Sequence, residues 1–303
     1  MAHIPVLTKE VLEYLNPKAN ENFVDATVGE GGHSAAIIEK NNPNGKILGI
    51  EWDSEVYNIT KSRIAEFPDR IILVNDSYIN LKEIVEKENF KPVNGILLDL
   101  GMSSYQLEKS GRGFSFMKNE MLDMRYNSGN QKSKIKNQNY ITAENIVNEW
   151  SQEKIEEILN DYGEERFARQ IAKKIVEKRK VKKISSTFEL KDIIKEAMPS
   201  KFLYGKIHFA TRTFQAIRIT VNEELDNLTE FLPKAIEVLS SGGRLVVISF
   251  HSLEDRIVKS FFKNKSQQGL VKILTKKPIA VSRNEVLVNP RSRSAKLRAI
   301  IKN

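Results

Sequence analysis

Phe23-Val24-Asp25-Ala26-Thr27-Val28-Gly29-Glu30-Gly31-Gly32-His33-Ser34 decides the fold: a short apolar strand runs into a glycine-rich turn, and the turn enters a helix. Glycines there let the backbone approach a ligand closely, and the helix amino terminus offers free N–H groups to a carboxylate or phosphate. The spacing is not the Gly-x-Gly-x-x-Gly of a dinucleotide fold. Outward from the turn, short apolar runs at 46–51, 71–75 and 96–100 alternate with helical spacing at 34–40, 54–67 and 79–89, with Pro68 among the breaks between them. That alternation predicts repeated strand–helix units and a parallel sheet.

The strand ends carry the chemistry. The second ends at Glu51-Trp52-Asp53, about twenty residues beyond the turn, where a carboxylate can accept both hydroxyls of a ribose; Glu51 and Asp53 both suit that role. The third is followed by Asp76-Ser77-Tyr78, which offers a ring to an adenine, and the fourth ends at Asp99. Acid, ring and open backbone on one edge of a sheet point to a nucleoside-type cofactor. A methionine-bearing one suits the short turn, because its tail needs one anion site rather than room for a pyrophosphate. Each residue also has a plain structural alternative: Asp25 and Asp99 as helix caps, Glu51 as a solvated strand end, Tyr78 as core.

After residue 100 the alternation stops. Residues 103–139 form a polar stretch with Gly111, Gly113 and Gly129 that reads as a lid or long loop, and helical patterns at 142–149, 151–162, 164–180 and 187–198 follow. A helical stretch at 209–239 leads to strand character at 244–250, a helix at 253–262 and strands at 270–274 and 296–301. The expected fold is therefore α/β, a doubly wound sheet with an inserted all-helical domain. Residues 1–105 and 206–303 make the ligand-binding domain and 106–205 the lid and insert; 303 residues suffice for two cores.

The 48 Lys+Arg against 39 Asp+Glu, a formal charge of +9, favour a polyanionic partner. Arg166, Arg169, Lys173, Lys174, Lys178, Arg179, Lys180, Lys182 and Lys183 crowd the insert, with Glu177 alone opposing them after Glu165. Such density suits phosphate contacts, a solvated helix face being the alternative. Arg291, Arg293, Lys296 and Arg298 form a second basic run, which Pro290 is expected to keep extended. No apolar run approaches a membrane span and the amino end carries no secretory pattern, so cytoplasm is the expected compartment. His3, His33, His208 and His251 show no paired ligand spacing, and no metal is expected. The chain has no cysteine, which removes disulfides, thiolate metal sites and any cysteine nucleophile. Covalent thiolate addition to a nucleobase carbon is thereby excluded, whereas chemistry at a nucleobase nitrogen is not.

Longer motifs carry a resemblance. His3-Ile4-Pro5-Val6-Leu7, the stretch 25–34, Asp99-Leu100-Gly101-Met102-Ser103-Ser104-Tyr105-Gln106-Leu107, Arg112-Gly113-Phe114-Ser115-Phe116, Leu122-Asp123-Met124-Arg125, Arg212-Thr213-Phe214-Gln215-Ala216, the stretch 249–256 and the stretch 289–298 closely resemble the bacterial 16S ribosomal RNA cytosine-N4 methyltransferases, the MraW or RsmH family. The resemblance spans nearly the whole chain. It implies a class I Rossmann-like methyltransferase with S-adenosyl-L-methionine as cofactor. It also implies N4-methylation of a cytidine in the decoding region of 16S ribosomal RNA, with the small ribosomal subunit as partner and no obligate protein partner.

Residue by residue, it implies cofactor contacts at Gly31, Gly32, His33, Glu51, Tyr78, Asp99 and Gln106, with Asp53 near enough to share the ribose. The family usually has Asp and Phe where this chain has Glu51 and Tyr78, and an acidic-Gly-Pro turn where it has Lys118-Asn119-Glu120-Met121. Asp99, Ser103, Ser104 and His251 are the candidate catalytic residues, with Phe114 and Phe116 as candidate walls of the base pocket. The proline pair of DNA amino-methyltransferases is missing from 99–104. Helix capping by His251, a capping box of Glu254 with Ser252 or a neighbour, and packing of the lid on its own core by the phenylalanines remain open. The rival functions are a cofactor-binding ribosome-assembly factor that transfers nothing and a methyltransferase acting on another nucleic acid.

Overall fold

Apolar strands that are buried on both faces need helices on both sides, and the chain supplies them in alternation. The computed structural model describes residues 5–64, 67, 69–127, 141–205 and 207–303. The His3-Ile4 end of the first motif, Pro68, and the 128–139 part of the expected lid, with Gly129, lie outside the described residues. In chain order the first elements are α1 (Thr8–Leu15), β1 (Phe23–Asp25), α2 (Gly32–Lys40), β2 (Ile47–Glu51), α3 (Ser54–Arg63), β3 (Ile71–Asn75), α4 (Leu81–Lys87) and β4 (Gly95–Asp99). Helices α5 (Ser104–Glu108), α6 (Ala143–Glu149), α7 (Gln152–Asp161), α8 (Ala168–Arg179), α9 (Thr187–Ala197) and α10 (Thr211–Asn222) follow. The last elements are α11 (Glu224–Val238), β5 (Arg244–Ser249), α12 (Ser252–Gln267), β6 (Val271–Ile273), β7 (Ile279–Ala280), α13 (Arg283–Val288) and β8 (Lys296–Lys302).

Two compact units result: Met1–Ser103 with Leu225–Asn303, and Ser104–Glu224. The first contains the whole sheet, in the order β3-β2-β1-β4-β5-β8-β6, with β7 also paired to β8. The strands from β3 to β5 run parallel, and β8 lies antiparallel between β5 and β6. Successive residues point to opposite faces and divide between two cores. Val24, Leu48, Ile96, Leu98, Leu245 and Val247 pack with Phe231 and Leu232 of α11 and Val258 of α12. Phe23, Ile47, Leu97, Val246 and Ile248 pack with Val11 and Leu15 of α1 and Ile37 and Ile38 of α2. No helix among the described residues is long and apolar enough to cross a membrane.

The second unit is helical. Thr142 and Ser186 open α6 and α9 with reciprocal capping boxes, closed by the side chains of Asn145 and Glu189. Ile146, Ile155, Leu159, Ile171, Ile175, Leu190 and Ile194 are buried. The division differs from the expected boundary at 205/206, because α10 packs on α6 and α7. The expected continuous helix over 209–239 is two helices, broken at Glu223, whose φ of 50° lies in the left-handed region. The expected start of a helix at Glu164 is likewise delayed to Ala168, Glu164 having a φ of 46°. The short β7 and α13 had no counterpart in the sequence pattern.

Candidate functional site

Because β1, β2, β3 and β4 are parallel, their last residues Asp25, Glu51, Asn75 and Asp99 share one edge of the sheet. The glycine-rich turn leaves β1 at that edge. Gly31, at φ 85°, is the N-cap of α2, a conformation that favours glycine, and its N–H bonds Val28 O at 2.8 Å. The hydroxyl of Thr60 donates to the carbonyl of Gly29 from the far side. Glu51 braces the turn directly: its Oε2 accepts the Gly29 N–H at 3.0 Å and its Oε1 the Asp53 N–H at 2.8 Å. Burial pushes the Glu51 carboxyl up to about 8, outweighing the lowering effect of those two N–H groups.

The two acids that suit the ribose differ in their surroundings. Asp53 is 1% exposed and its Oδ1 accepts the Glu55 N–H at 3.1 Å, which makes it the N-cap of α3. Glu51 stands at the strand end, half-buried, beside the glycine turn.

Three titratable groups gather behind the turn. Asp25, 1% exposed, accepts from Ser34 Oγ at 2.7 Å; burial raises its carboxyl, against the lowering influence of His33 and Ser34. Asp99 is fixed from both sides, its N–H donating to Thr27 Oγ1 at 2.7 Å and its Oδ1 accepting the Gly101 N–H at 3.0 Å. Its Oδ2 lies 3.5 Å from His33 Nε2. His33 is 7% exposed, and neither ring nitrogen has a hydrogen-bond partner among the described residues. A buried imidazole in that state favours a ligand that supplies the missing partner. Thr27 and Ser34 hold the two aspartates, yet sequence reasoning singled out neither; their hydroxyls within the quoted turn were the available signal.

Tyr78 follows β3 and packs edge-on against Phe231, ring centroids 5.3 Å apart. Ser77 caps the short turn that presents it, and Asp76 Oδ1 accepts from the Ser77 N–H and the Asn80 side chain. Ser103, 8% exposed, ends this stretch of the first unit. After β5, His251 is the N-cap of α12: its Nδ1 accepts the Glu254 N–H over a long 3.5 Å, and Glu254 Oε2 accepts the N–H groups of Phe250 and His251 at 2.7 and 3.2 Å. The capping partner of Glu254 is thus His251, not Ser252. His251 Nε2 lies 3.0 Å from Glu254 Oε1 but out of line for a hydrogen bond.

With this geometry in view, comparison with known proteins is decisive. The MraW methylase family model matches residues 1–303. The chain belongs to the MraW methylase family. A Ribosomal RNA small subunit methyltransferase H from Sulfurihydrogenibium sp. (strain YO3AOP1) is 50% identical over 296 residues, 98% of this chain and 97% of that protein. The protein of the same name from Thermotoga neapolitana (strain ATCC 49049 / DSM 4359 / NBRC 107923 / NS-E) is 49% identical over 300 residues, 98% of this chain and 95% of its own.

In this MraW-family chain the remaining expected residues fall on the helical unit or on β8. Ser104 and Gln106 lie in α5, Gln106 being 6% exposed. Phe114 stacks on Tyr126 at 5.4 Å, and Phe116 stacks on His208 at 4.5 Å and meets Phe214 edge-on. Both phenylalanines therefore pack within their own unit. The basic run of the insert is not opposed by Glu177 alone. Glu177 does sit 3.9 and 3.7 Å from Lys173 and Lys174, but Lys178 also pairs with Glu196 at 2.7 Å, Lys182 with Glu189, and Lys183 with Glu144 at 3.0 Å. Arg179 donates to the carbonyl of Val147.

The second basic run also changes character. Asn289 has φ −128° and ψ 85°, and residues Pro290–Ser294 do not stay extended but close into a 3-10 turn held by Ser292, whose Oγ donates to Asn289 O at 2.7 Å. Arg291 and Arg293 are exposed on that turn. Arg298, 7% exposed, is not a surface cation: it gives two hydrogen bonds to Asp255, at 2.7 and 3.2 Å, and Lys296 lies 3.6 Å from the same carboxylate.

Proposed function

We propose that this chain transfers a methyl group from S-adenosyl-L-methionine to the N4 amine of a cytidine in 16S ribosomal RNA of the small ribosomal subunit. The observation that carries the reading is the single sheet edge where Glu51, Asp99 and the glycine turn from Gly29 to His33 stand together, in a chain of the MraW methylase family. The donor set fits a nucleoside with an amino-acid tail. It has one strand-end acid for a ribose, one turn with free N–H groups for a carboxylate, a tyrosine ring for an adenine, and an unsatisfied buried imidazole.

When bound, the cofactor supplies an electrophilic methyl group on sulfur. Everything else falls to the protein. Glu51, once ionised, accepts the ribose hydroxyls, while Gly31 turns the backbone against the tail and Gly32, at the start of α2, offers its N–H to it. Asp99, locked by Thr27 and Gly101, holds a carboxylate where positive charge builds on an attacking amine. An exocyclic amine shares its lone pair with the ring, so orienting its hydrogens toward a fixed acceptor assists attack, and alignment dominates the rate. Ser103 and Ser104 lie four and five residues after Asp99 and are assigned to the base. His251 acts through Glu254 by fixing the start of α12, a positioning role rather than proton transfer. The helical unit, through Arg166 and Arg169, and the turn bearing Arg291 and Arg293 supply contacts to phosphates. Cytoplasm is the compartment in which such a substrate is met.

The test is to incubate purified protein and labelled S-adenosyl-L-methionine with small subunits lacking this modification, then digest the RNA and identify the labelled nucleoside. N4-methylated cytidine at one site is the expected product. Cofactor binding with no label in any RNA would favour an assembly factor without transferase activity, and label in another nucleoside would reassign the substrate atom.

A further inference from the structure

The basic residues of the helical unit divide into two populations. Lys178, Lys182 and Lys183 are engaged by carboxylates brought from elsewhere in the same unit. Arg166, Arg169 and Lys201 have no carboxylate within ion-pair distance among the described residues. Two of these three lie on aromatic rings instead. The guanidinium of Arg166 sits 5.8 Å from the ring centroid of Phe167 and 5.1 Å from that of Phe202, and Lys201 Nζ sits 5.2 Å from Phe202. Phe167 and Phe202 support one another, centroids 4.9 Å apart.

Two residues beyond Phe202 stands Tyr204, 89% exposed, with no hydrogen bond or ring contact to any described residue. A tyrosine left almost wholly in water forgoes the burial that usually justifies so large an apolar body. Cations held over rings beside a bare aromatic face are the elements with which proteins bind single-stranded nucleic acid. The positive charge meets the phosphates, the ring stacks on a base, and stacking needs no particular sequence.

We infer that the 166–169 and 201–204 segments form a docking platform for an unpaired nucleotide of the substrate RNA, with Tyr204 stacking on its base and Arg166 and Lys201 facing its phosphates. The inference rests on the RNA-methylating reading above and adds a recognition site remote in sequence from the cofactor turn. A protein partner is disfavoured because the patch combines unneutralised cations with a single bare ring rather than a broad apolar surface.

The test uses the full chain and small ribosomal subunits lacking the modification. Tyr204→Ala should weaken subunit binding by roughly five- to hundredfold, raising KM with kcat at saturation unchanged, whereas Tyr204→Phe should bind as wild type. Lys201→Ala should lower the salt dependence of binding by close to one phosphate contact, and Tyr204→Ala should leave that slope unaltered. Short-wave ultraviolet irradiation should cross-link Tyr204 to RNA. Equal affinity of Tyr204→Ala and wild type, or a cross-link from Tyr204 to a ribosomal protein, overturns the platform while leaving the methylation reading intact. A wild-type protein that neither binds nor methylates subunits overturns both.

Discussion

Raising the pH should tighten cofactor binding, and Glu51 sets by how much. In the free protein burial lifts this carboxyl from 4.5 to about 8, although two backbone N–H groups pull the other way. A neutral carboxyl keeps only part of its acceptor capacity, and two ribose hydroxyls beside two backbone N–H groups are best accommodated by the ionised form, so binding favours release of the proton. At about pH 7 roughly one molecule in ten carries the ionised group, and the apparent affinity should rise about tenfold between about pH 7 and pH 9, then level off. Calorimetric titration with S-adenosyl-L-methionine across this range, in buffers of different ionisation enthalpy, measures both affinity and proton release, which should approach one proton at about pH 7. Glu51→Gln should bind weakly and without that slope. An affinity flat with pH in the wild type, or the same slope in Glu51→Gln, refutes the reasoning. The sign for stability is opposite: a carboxyl raised above its unfolded value favours the fold most below about 4.5 and loses that contribution as pH rises through about 8. The ligand-free protein should therefore melt lower at alkaline pH than Glu51→Gln does.

Asp53→Ala removes a helix cap and should cost about 1 kcal/mol of stability with little change in cofactor affinity per folded molecule, unlike Glu51→Ala; thermal melts and calorimetry separate the two. Gly113 has a φ of 79° and an added Cβ would come 2.1 Å from the Met121 carbonyl oxygen, so Gly113→Ala should destabilise the helical unit by about 2 kcal/mol or more, read by urea unfolding. Asp255→Ala strands Arg298 and should cost about 2 kcal/mol, leaving RNA affinity unchanged in a filter-binding assay. Burial raises the Asp255 carboxyl, but hydrogen bonds and charge from Arg298 and Lys296 outweigh it and hold it below the ordinary range. Its contribution is therefore present above the usual carboxylate pKa and fades as the solution is acidified through the lowered value, most visibly in the difference between wild type and Asp255→Ala.

The parallel sheet was legible because strands covered on both faces must be continuous apolar runs, as at 46–51 and 96–100, and because glycine at position 31 announces a backbone that leaves the β region. The strand-end acids followed from the same register. What escaped the sequence depended on partners far along the chain. Nothing local distinguishes Lys182 or Lys183 from Arg166, since the carboxylates that engage the lysines come from α9 and α6. Arg298 reads as one more surface cation until β8 is placed against β5 and Asp255 meets it. The break at Glu223 had no glycine or proline to mark it, the left-handed turn being taken by an ordinary residue. His251 was ambiguous for a chemical reason: imidazole nitrogen can cap a helix as well as handle a proton, and the sequence does not show that its Nδ1 caps α12.

The placement of β8 bears on how the sheet forms while the chain is being made. This strand is not an edge but the seam between β5 and β6, and it follows both of them in the chain. The first four strands emerge early, then wait with the flank of β4 open while the entire helical unit is translated, an interval on the order of ten seconds. Even then β5 and β6 cannot join until the seam arrives. The nascent protein thus carries an unfinished sheet until residues 296–302 have been made, and the sheet can close only then. Removing a handful of residues from 296–302 should leave a species that chaperones hold and proteases clear, rather than a slightly shortened enzyme.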